Sequence, residues 1–218
     1  NIVGALITMP HKVTTVGLLD EASVAVQVAG ACNAVKRDAV GRLVGDMFDG
    51  EGFVRGVVRR GVTLAGASVL VVGAGGGGPA IAASMARAGV GRLAVFDAQP
   101  APAEELAGRL RRHFPGLAVH TGSNDPAGFD VVVNATPLGM NPGDPLPIDV
   151  NRLGPTTFVG EVVMKAEMTA FLQAARERGC AVQVGTDMLF EQIPAYLEFF
   201  GLPSTTPDVL RDVAKLRY

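Results

Sequence analysis

The sequence lacks tryptophan, has only two tyrosines and two cysteines, and carries no excess of charge of either sign. Tyr196 and Tyr218 are too few phenols for the aromatic stacking surface that binds single-stranded nucleic acid. The 19 Lys and Arg residues nearly balance the 21 Asp and Glu residues, so no basic surface for nucleic acid or an anionic membrane is indicated. Cys32 and Cys180 have no metal-type spacing and make no disulfide framework, so we expect a reducing, cytoplasmic location.

The chain also has no run of ~18 apolar residues, no signal-peptide pattern and no internal repeat. It begins at Asn1 rather than at methionine, from which we expect a fragment or a processed product. Hydrophobic residues make up 48% of the 218 positions, enough for one large domain or two small ones with a real core. The 28 glycines cluster at the ends of apparent strands, which indicates tight turns rather than low complexity.

Strands and helices of moderate length alternate along the sequence. The pattern predicts strands at 1–7, 31–35, 68–72, 92–96, 117–120, 130–134, 157–163 and 181–184, and helices at 20–28, 51–60, from the glycine loop to about 88, 103–113, 168–178 and 188–200. Such alternation is typical of right-handed βαβ units and an α/β fold with a Rossmann-type doubly wound parallel sheet. We expect a dinucleotide-binding domain at 63–187 and a smaller, discontinuous α/β substrate domain at 1–62 plus 188–218.

A glycine-rich loop gives the most specific local signal. Gly73, Gly75 and Gly78 form a G-x-G-x-x-G pattern that follows the apolar strand SVLVV and opens a helix. Gly73 permits the tight turn, Gly75 lets the backbone approach a pyrophosphate, and Pro79 suits the first helical turn. The alternative is that these glycines only allow close packing of helix on sheet.

An acidic residue, Asp97, ends the next predicted strand. A carboxylate there accepts hydrogen bonds from the adenosine ribose and repels a 2′-phosphate, and no arginine follows it, so we expect NAD to be preferred to NADP. Gln99 is a candidate to share the ribose contact. The alternative is a solvated carboxylate at a strand end.

Two further loops follow predicted strands. Asn134 and Thr136 lie in a polar turn where open α/β sheets bind ligands, although ordinary turn chemistry explains the same residues equally well. Lys12 follows the first apolar strand, and Asp49 lies in a glycine-bracketed loop at a helix start. The two are candidates for a catalytic pair, with a solvated lysine and a helix-capping aspartate as the alternative.

Six strings of the sequence, taken together and in order, resemble the shikimate/quinate dehydrogenase family. They are LITMPHK at 6–12, GACN at 30–33, MFDGEGF at 47–53, GAGGG at 73–77, NATPLGM at 134–140 and GTDMLFEQ at 185–192. The resemblance spans nearly the whole chain. It implies an enzyme that transfers hydride between a ring secondary alcohol and the nicotinamide of NAD or NADP, in aromatic amino acid biosynthesis.

The resemblance also implies a role for individual residues. Lys12 would remove the proton of the reacting hydroxyl, Asp49 would hold Lys12, and Thr8, Asn33 and Gln192 would hydrogen-bond the ring hydroxyls of the substrate. The implied cofactor contacts are Gly73, Ala74, Gly75, Gly76, Gly77, Asp97, Asn134, Thr136, Leu138, Met140, Val162, Gly185 and Met188. Met188 is equally well explained as a core residue.

Several positions depart from the family pattern. Met47 and Phe48 replace Asn-Thr, Leu6 replaces Asn, Met164 replaces a tyrosine, and the amino-terminal Ser-x-Ser segment lies outside this sequence. The departures indicate a divergent, shikimate-dehydrogenase-like branch that acts on shikimate, quinate or an analogue.

Two other classes of protein remain as alternatives: a dinucleotide-binding protein with little turnover, and another Rossmann enzyme such as a methylene-tetrahydrofolate dehydrogenase, against which the Gln192 string argues. We expect a monomer or homodimer whose partner is a small molecule. His11, His113 and His120 lack partners that would indicate a metal site.

Overall fold

Two separate β-sheets organise the chain, and the computed structural model describes residues 2–214. The first sheet has the order β1-β3-β4-β2. Its strands are β1 (Gly4–Leu6), β2 (Glu21–Ala22), β3 (Ala34–Arg37) and β4 (Leu43–Asp46), and its helices are α1 (Val24–Ala29) and α2 (Asp49–Arg59). β3 runs antiparallel to β1 and β4, whereas β2 is parallel to β4.

The second sheet has six parallel strands in the order β10-β9-β8-β5-β6-β7. The strands are β5 (Ser68–Val72), β6 (Arg92–Phe96), β7 (Ala118–Thr121), β8 (Val131–Asn134), β9 (Phe158–Glu161) and β10 (Ala181–Gln183). The helices that cover this sheet are α3 (Gly78–Arg87), α4 (Pro100–His113) and α5 (Ala170–Glu177). After β10 the chain continues into α6 (Gly185–Phe200) and α7 (Pro207–Val213). The order reverses between β5 and β8, which confirms the Rossmann-type doubly wound sheet and places a ligand crevice at their carboxyl ends.

The six-stranded sheet is covered on both faces. On one face Ile81 of α3 and Leu106 of α4 pack against Val69 and Val71. On the other face Phe171 of α5 belongs to the cluster that includes Leu70 and Val72. A parallel strand buried on both faces has to be apolar at every position, which explains the continuous run SVLVV.

Helix α2 joins the two halves by an unusually close approach to α3 and α6. A Cβ atom on Gly50 would lie 1.9 Å from the carbonyl oxygen of Ala80 in α3, and one on Gly52 would lie 2.5 Å from that of Met188 in α6. Only glycine permits these distances, so the glycines of α2 set how near its first turn lies to both neighbouring helices.

The structure corrects several predicted bounds. The helix predicted at 20–28 is wrong at its start, because Glu21–Ala22 pairs as β2 and the Ser23 side chain accepts a hydrogen bond from Val26 N to cap α1. The strand predicted at 31–35 begins only at Ala34, and the last predicted helix begins at Gly185 rather than Met188.

Other elements were absent from the predicted pattern. These are β4, which is a run of only four residues that contains Gly45, the two 3₁₀ turns Thr14–Leu18 and Val150–Arg152, and α7. Asn1 and residues 215–218, including Tyr218, lie outside the described residues. Over the span from 2 to 214, no helix is long and apolar enough to cross a membrane.

Candidate active site

Lys12 and Asp49 form an ion pair within the half of the chain that contains the first sheet. Lys12 Nζ lies 2.7 Å from Asp49 Oδ2, and the side chains are 25% and 13% exposed. Lys12 lies in the turn after β1, and its carbonyl oxygen accepts a hydrogen bond from Cys32 N. Asp49 is the first residue of α2, where the helix dipole favours a carboxylate. The pair therefore keeps a partly accessible lysine in a fixed position.

Two amides hold the other oxygen of the same carboxylate. Asn33 Nδ2 and Gln192 Nε2 donate to Asp49 Oδ1 at 2.8 and 2.7 Å. Asn33 is fully buried and Gln192 is 4% exposed, so both amides are fixed. Their N–H groups are directed at protein oxygen atoms, and the substrate contacts that the resemblance implies for them stay predictions.

Tyr196 completes this group, and the sequence reasoning missed it. Asn33 Nδ2 and Gln192 Nε2 each donate a second hydrogen bond to the Tyr196 hydroxyl oxygen. Burial and the charge of Asp49 raise the pKa of Tyr196, so the phenol stays protonated. The available signal was spacing, because Tyr196 follows Gln192 by four residues and so shares its face of α6.

Thr8 lies in the turn that leads to Lys12. Its side chain is exposed, and its carbonyl oxygen accepts a hydrogen bond from His11 N. The hydroxyl is thus free of the buried group around Asp49 and faces outward at the same end of the first sheet.

The glycine loop has the shape that a dinucleotide phosphate group requires. Gly73 adopts φ +107°, and a Cβ there would lie 2.8 Å from the backbone of Ala135. Nothing lies within 4 Å of the positions that Cβ atoms would occupy on Gly75 and Gly76, which are exposed. Gly77 precedes the first turn of α3 without a side-chain cap. Gly78 N donates to the carbonyl oxygen of Gly75 and Pro79 has no N–H, so the positive end of the helix dipole is what favours an anion here.

Asp97 lies directly beside this loop. Its Oδ2 accepts a hydrogen bond from Ala74 N at 2.8 Å, and its Oδ1 accepts one from Gln99 N at 2.9 Å. The carboxylate therefore holds the glycine loop in place as well as ending β6. Both oxygens retain lone pairs for a further hydrogen bond.

The polar turn after β8 is built by its own side chains. Asn134 Oδ1 accepts hydrogen bonds from Thr136 N and Thr136 Oγ1, and Asn134 Nδ2 donates to the carbonyl oxygen of Leu138. Asn134 is fully buried, so it shapes the loop rather than facing the crevice. Met140 at the end of the loop is 40% exposed.

A buried carboxyl supports the same turn from β9. Glu161 is 0% exposed, its Oε2 accepts a hydrogen bond from Thr169 Oγ1 at 3.0 Å, and its Oε1 has no partner among residues 2–214. Burial raises the pKa of Glu161 to about 7. The register places Glu161 opposite Asn134 at the carboxyl end of the sheet.

Of the remaining residues predicted to contact the cofactor, Val162 and Gly185 lie near the glycine loop or the segment after β9, and Met188 lies in the core. Val162 Cγ1 is 3.9 Å from the position a Cβ would take on Gly77, which places it next to the glycine loop. A Cβ on Gly185 would lie 2.1 Å from the carbonyl oxygen of Val163, so α6 begins in contact with the segment that follows β9. Met188 is 8% exposed and belongs to the apolar core. No group of three potential metal-binding side chains occurs within the described part of the chain.

The fold and site together define a class of protein. A doubly wound parallel sheet, a glycine loop at its reversal point and a lysine–carboxylate pair whose helix packs against the helix of that loop are features of a Rossmann-type dehydrogenase.

Comparison with known proteins identifies the particular family. The chain is 38% identical over 198 residues to a shikimate dehydrogenase (NADP(+)) of Rubrobacter xylanophilus, covering 87% of this chain and 68% of the relative. It is 38% identical over 214 residues to a quinate/shikimate dehydrogenase (NAD(+)) of Corynebacterium efficiens, covering 95% and 74%. No family model matches the chain. On these relatives, the chain belongs to the shikimate/quinate dehydrogenase family.

Solved structures agree with the fold. A shikimate 5-dehydrogenase of Listeria monocytogenes in complex with shikimate and NAD superimposes with a TM-score of 0.90 at 27% identity, covering 98% of this chain and 78% of that one. A 5-ketofructose reductase of Gluconobacter sp. strain CHM43 superimposes with a TM-score of 0.87 at 28% identity, covering 96% and 77%. The same fold is thus found in proteins that are named for different substrates.

Proposed function

We propose that the chain catalyses hydride transfer between a ring secondary alcohol of a hydroxylated cyclic carboxylate, of the shikimate or quinate type, and a nicotinamide cofactor. The observation that carries this proposal is the Lys12–Asp49 pair, which α2 places against the helix of the glycine loop. We assign 63–187 to cofactor binding and 1–62 plus 188–218 to substrate binding, so that both residues of the pair belong to the substrate part, where α2 contacts α3.

Lys12 and Asp49 supply the proton chemistry in this proposal. Oxidation of a secondary alcohol requires that the hydroxyl proton leave as hydride leaves the carbon. Lys12 lies at the accessible side of the pair and takes that proton as the neutral amine, and Asp49 pairs with the ammonium that forms. Asn33 and Gln192 fix Asp49 by their hydrogen bonds to Oδ1. Thr8 is left as the exposed hydroxyl that contacts a substrate oxygen.

The residues at the sheet edge fit a nicotinamide dinucleotide. The open backbone at Gly75 and Gly76 accepts the pyrophosphate, and Asp97 reaches the adenosine ribose. Val162, Gly185 and the turn from Asn134 to Met140 line the nicotinamide end of the crevice. When bound, the nicotinamide accepts or returns the hydride. We propose that Asp97 favours NAD over NADP; relatives are named for both cofactors.

A turnover assay tests the function directly. Purified protein is supplied with NAD or NADP and either shikimate or quinate, and NAD(P)H formation is followed by absorbance. A reverse assay supplies NAD(P)H and the matching keto acids, together with 5-ketofructose as a carboxylate-free polyhydroxylated ketone. Turnover of a cyclic hydroxy acid that is lost in Lys12→Met supports the proposal. NAD binding without turnover on the whole panel would instead establish a dinucleotide-binding protein that is not an enzyme.

A further inference from the structure

We propose that the Tyr196 hydroxyl donates a hydrogen bond to a substrate oxygen on the ring carbon next to the one that is oxidised. The site would then select substrates that carry two oxygens on adjacent carbons. This inference rests on the proposed dehydrogenase function and extends it to a residue that determines specificity.

The orientation of the two amides is the first step. Asp49 is a carboxylate that pairs with Lys12, so its Oδ1 can only accept hydrogen bonds. The atoms of Asn33 and Gln192 that face Oδ1 must therefore be their NH₂ nitrogens. A reversed amide would place an oxygen against the carboxylate, which is repulsive. The second N–H of each amide then points at the Tyr196 oxygen.

The direction of the phenol proton follows from these contacts. Two nitrogens and two oxygens form a closed ring of four hydrogen bonds, in which Asp49 Oδ1 and the Tyr196 oxygen each accept twice. A phenol oxygen that accepts two hydrogen bonds has only its own proton left to offer. Among the described residues, the Tyr196 hydroxyl has no acceptor for that proton. The hydroxyl is therefore an unused hydrogen-bond donor next to the Lys12–Asp49 pair.

The position of the phenol indicates which substrate oxygen it meets. One amide nitrogen bridges Asp49 Oδ1 and the phenol oxygen, which sets these two oxygens ~4–5 Å apart. Lys12 occupies the other carboxylate oxygen, so a hydroxyl that reacts at Lys12 lies within one carbon–carbon bond of a second oxygen that can reach Tyr196. Adjacent hydroxyls on a six-membered ring lie closer together than these two protein oxygens, so one can meet Lys12 Nζ while its neighbour accepts from the phenol.

Aromatic neighbours hold the phenol in this orientation. The Phe48 ring meets the Tyr196 ring edge to face at a centroid distance of 5.3 Å, and the Phe199 ring meets Phe48 at 5.4 Å. Phe48 N also donates to Asn33 Oδ1, which ties this ring to the same group. An apolar surround strengthens a hydrogen bond and penalises a substrate that leaves the donor unpaired.

The test compares wild type with Tyr196→Phe, which keeps the ring and removes only the hydroxyl. Each protein is assayed with shikimate and with 4-deoxyshikimate, which lacks the oxygen beside the oxidised carbon. Binding of both compounds is also measured by calorimetry, without turnover. We expect wild type to prefer shikimate by ~100-fold in kcat/KM and in affinity. In Tyr196→Phe, kcat/KM and affinity should each fall at least tenfold for shikimate and less than threefold for 4-deoxyshikimate.

Phe199→Leu is the matched control for packing, because the Phe199 ring contacts that of Phe48 and not that of Tyr196, and the change removes no hydroxyl. The shikimate preference of this variant should equal that of wild type. An equal loss on both compounds in Tyr196→Phe would overturn the proposal, since it would show that the hydroxyl only positions Asp49. If wild type turns over neither compound, the dehydrogenase function fails separately. The ratio of the affinities for shikimate and 4-deoxyshikimate still tests the role of Tyr196. If this ratio is the same in Tyr196→Phe as in wild type, the proposed hydrogen bond from Tyr196 is overturned.

Discussion

Lys12 Nζ and Asp49 Oδ2 lie 2.7 Å apart although 37 positions separate them in the chain. The first sheet explains the meeting, because the turn after β1 and the start of α2 lie at the same end of the sheet. Ile7 N donates to the carbonyl oxygen of Asn33, and Asn33 N donates to that of Asp46, so the three segments are fixed side by side. The pair is therefore a property of the sheet and not of flexible side chains.

Two substitutions of Lys12 distinguish its positive charge from its role in proton transfer. Lys12→Arg keeps a cation for Asp49, but a guanidinium does not release a proton at ordinary pH. We expect kcat to fall ~10²–10⁴-fold in Lys12→Arg and in Lys12→Met alike, with NADH affinity unchanged, because both remove the proton acceptor. Steady-state kinetics and NADH fluorescence titration measure the two effects. Near-normal kcat in Lys12→Arg would show that charge alone is needed.

Asp97 has two separable functions, and two substitutions distinguish them. Asp97→Asn removes the charge but keeps an oxygen that can accept from Ala74 N. We expect it to abolish the roughly tenfold or larger preference for NAD that the carboxylate provides by repelling a 2′-phosphate. Asp97→Ala should also reduce the preference for NAD over NADP. In addition, it should weaken the binding of both cofactors, because the glycine loop loses its hydrogen bond to the carboxylate. Equal affinity of wild type for NAD and NADP would contradict this role of Asp97.

The fold and the pair were predictable, whereas the group around Asp49 was only partly so. SVLVV and the glycine loop carry local signals. The continuous apolar run predicts a buried strand, and the glycine pattern predicts a turn that binds phosphate. The family strings point to Lys12, Asp49, Asn33 and Gln192 one by one. No local pattern shows that both amides turn toward Asp49, because this depends on α2 and α6 approaching at Gly52. Tyr196 lies outside every string and becomes visible only when that approach is known.

Glu161 should make stability depend on pH. Burial raises its pKa to about 7 in the folded chain, from an ordinary value of 4.5. Its stabilising contribution is complete below pH 4.5 and is lost as pH rises through 7, a loss of about 3 kcal/mol in the free energy of unfolding. In Glu161→Gln this pH dependence disappears. The free energy of unfolding of the variant should therefore rise relative to that of wild type between pH 5 and pH 8.

Urea unfolding at several pH values measures this difference. Glu198→Gln is the control, because the hydrogen bond from Arg55 lowers the pKa of the Glu198 carboxyl and its contribution is lost as pH falls, not as it rises. The two variants should therefore deviate from wild type at opposite ends of the pH range. Parallel pH curves for Glu161→Gln and wild type would show that Glu161 does not carry this dependence.

The contact between Gly50 and Ala80 should connect stability to activity. A Cβ in Gly50→Ala would lie 1.9 Å from the carbonyl oxygen of Ala80, so α2 has to move away from α3, at a cost of about 3 kcal/mol in the free energy of unfolding. Asp49 is the neighbouring residue and would move with the helix, so kcat should fall in protein that is still folded.

Gly108→Ala provides the matched control within α4. Nothing lies within 4 Å of the added Cβ, so alanine should stabilise this helix by up to about 1 kcal/mol and leave kcat unchanged. Thermal unfolding and kinetics on the same samples compare the two variants. If Gly50→Ala lost stability but kept its full kcat, the position of α2 against α3 would matter for folding alone, and the placement of Asp49 would have to come from its hydrogen bonds to Asn33 and Gln192.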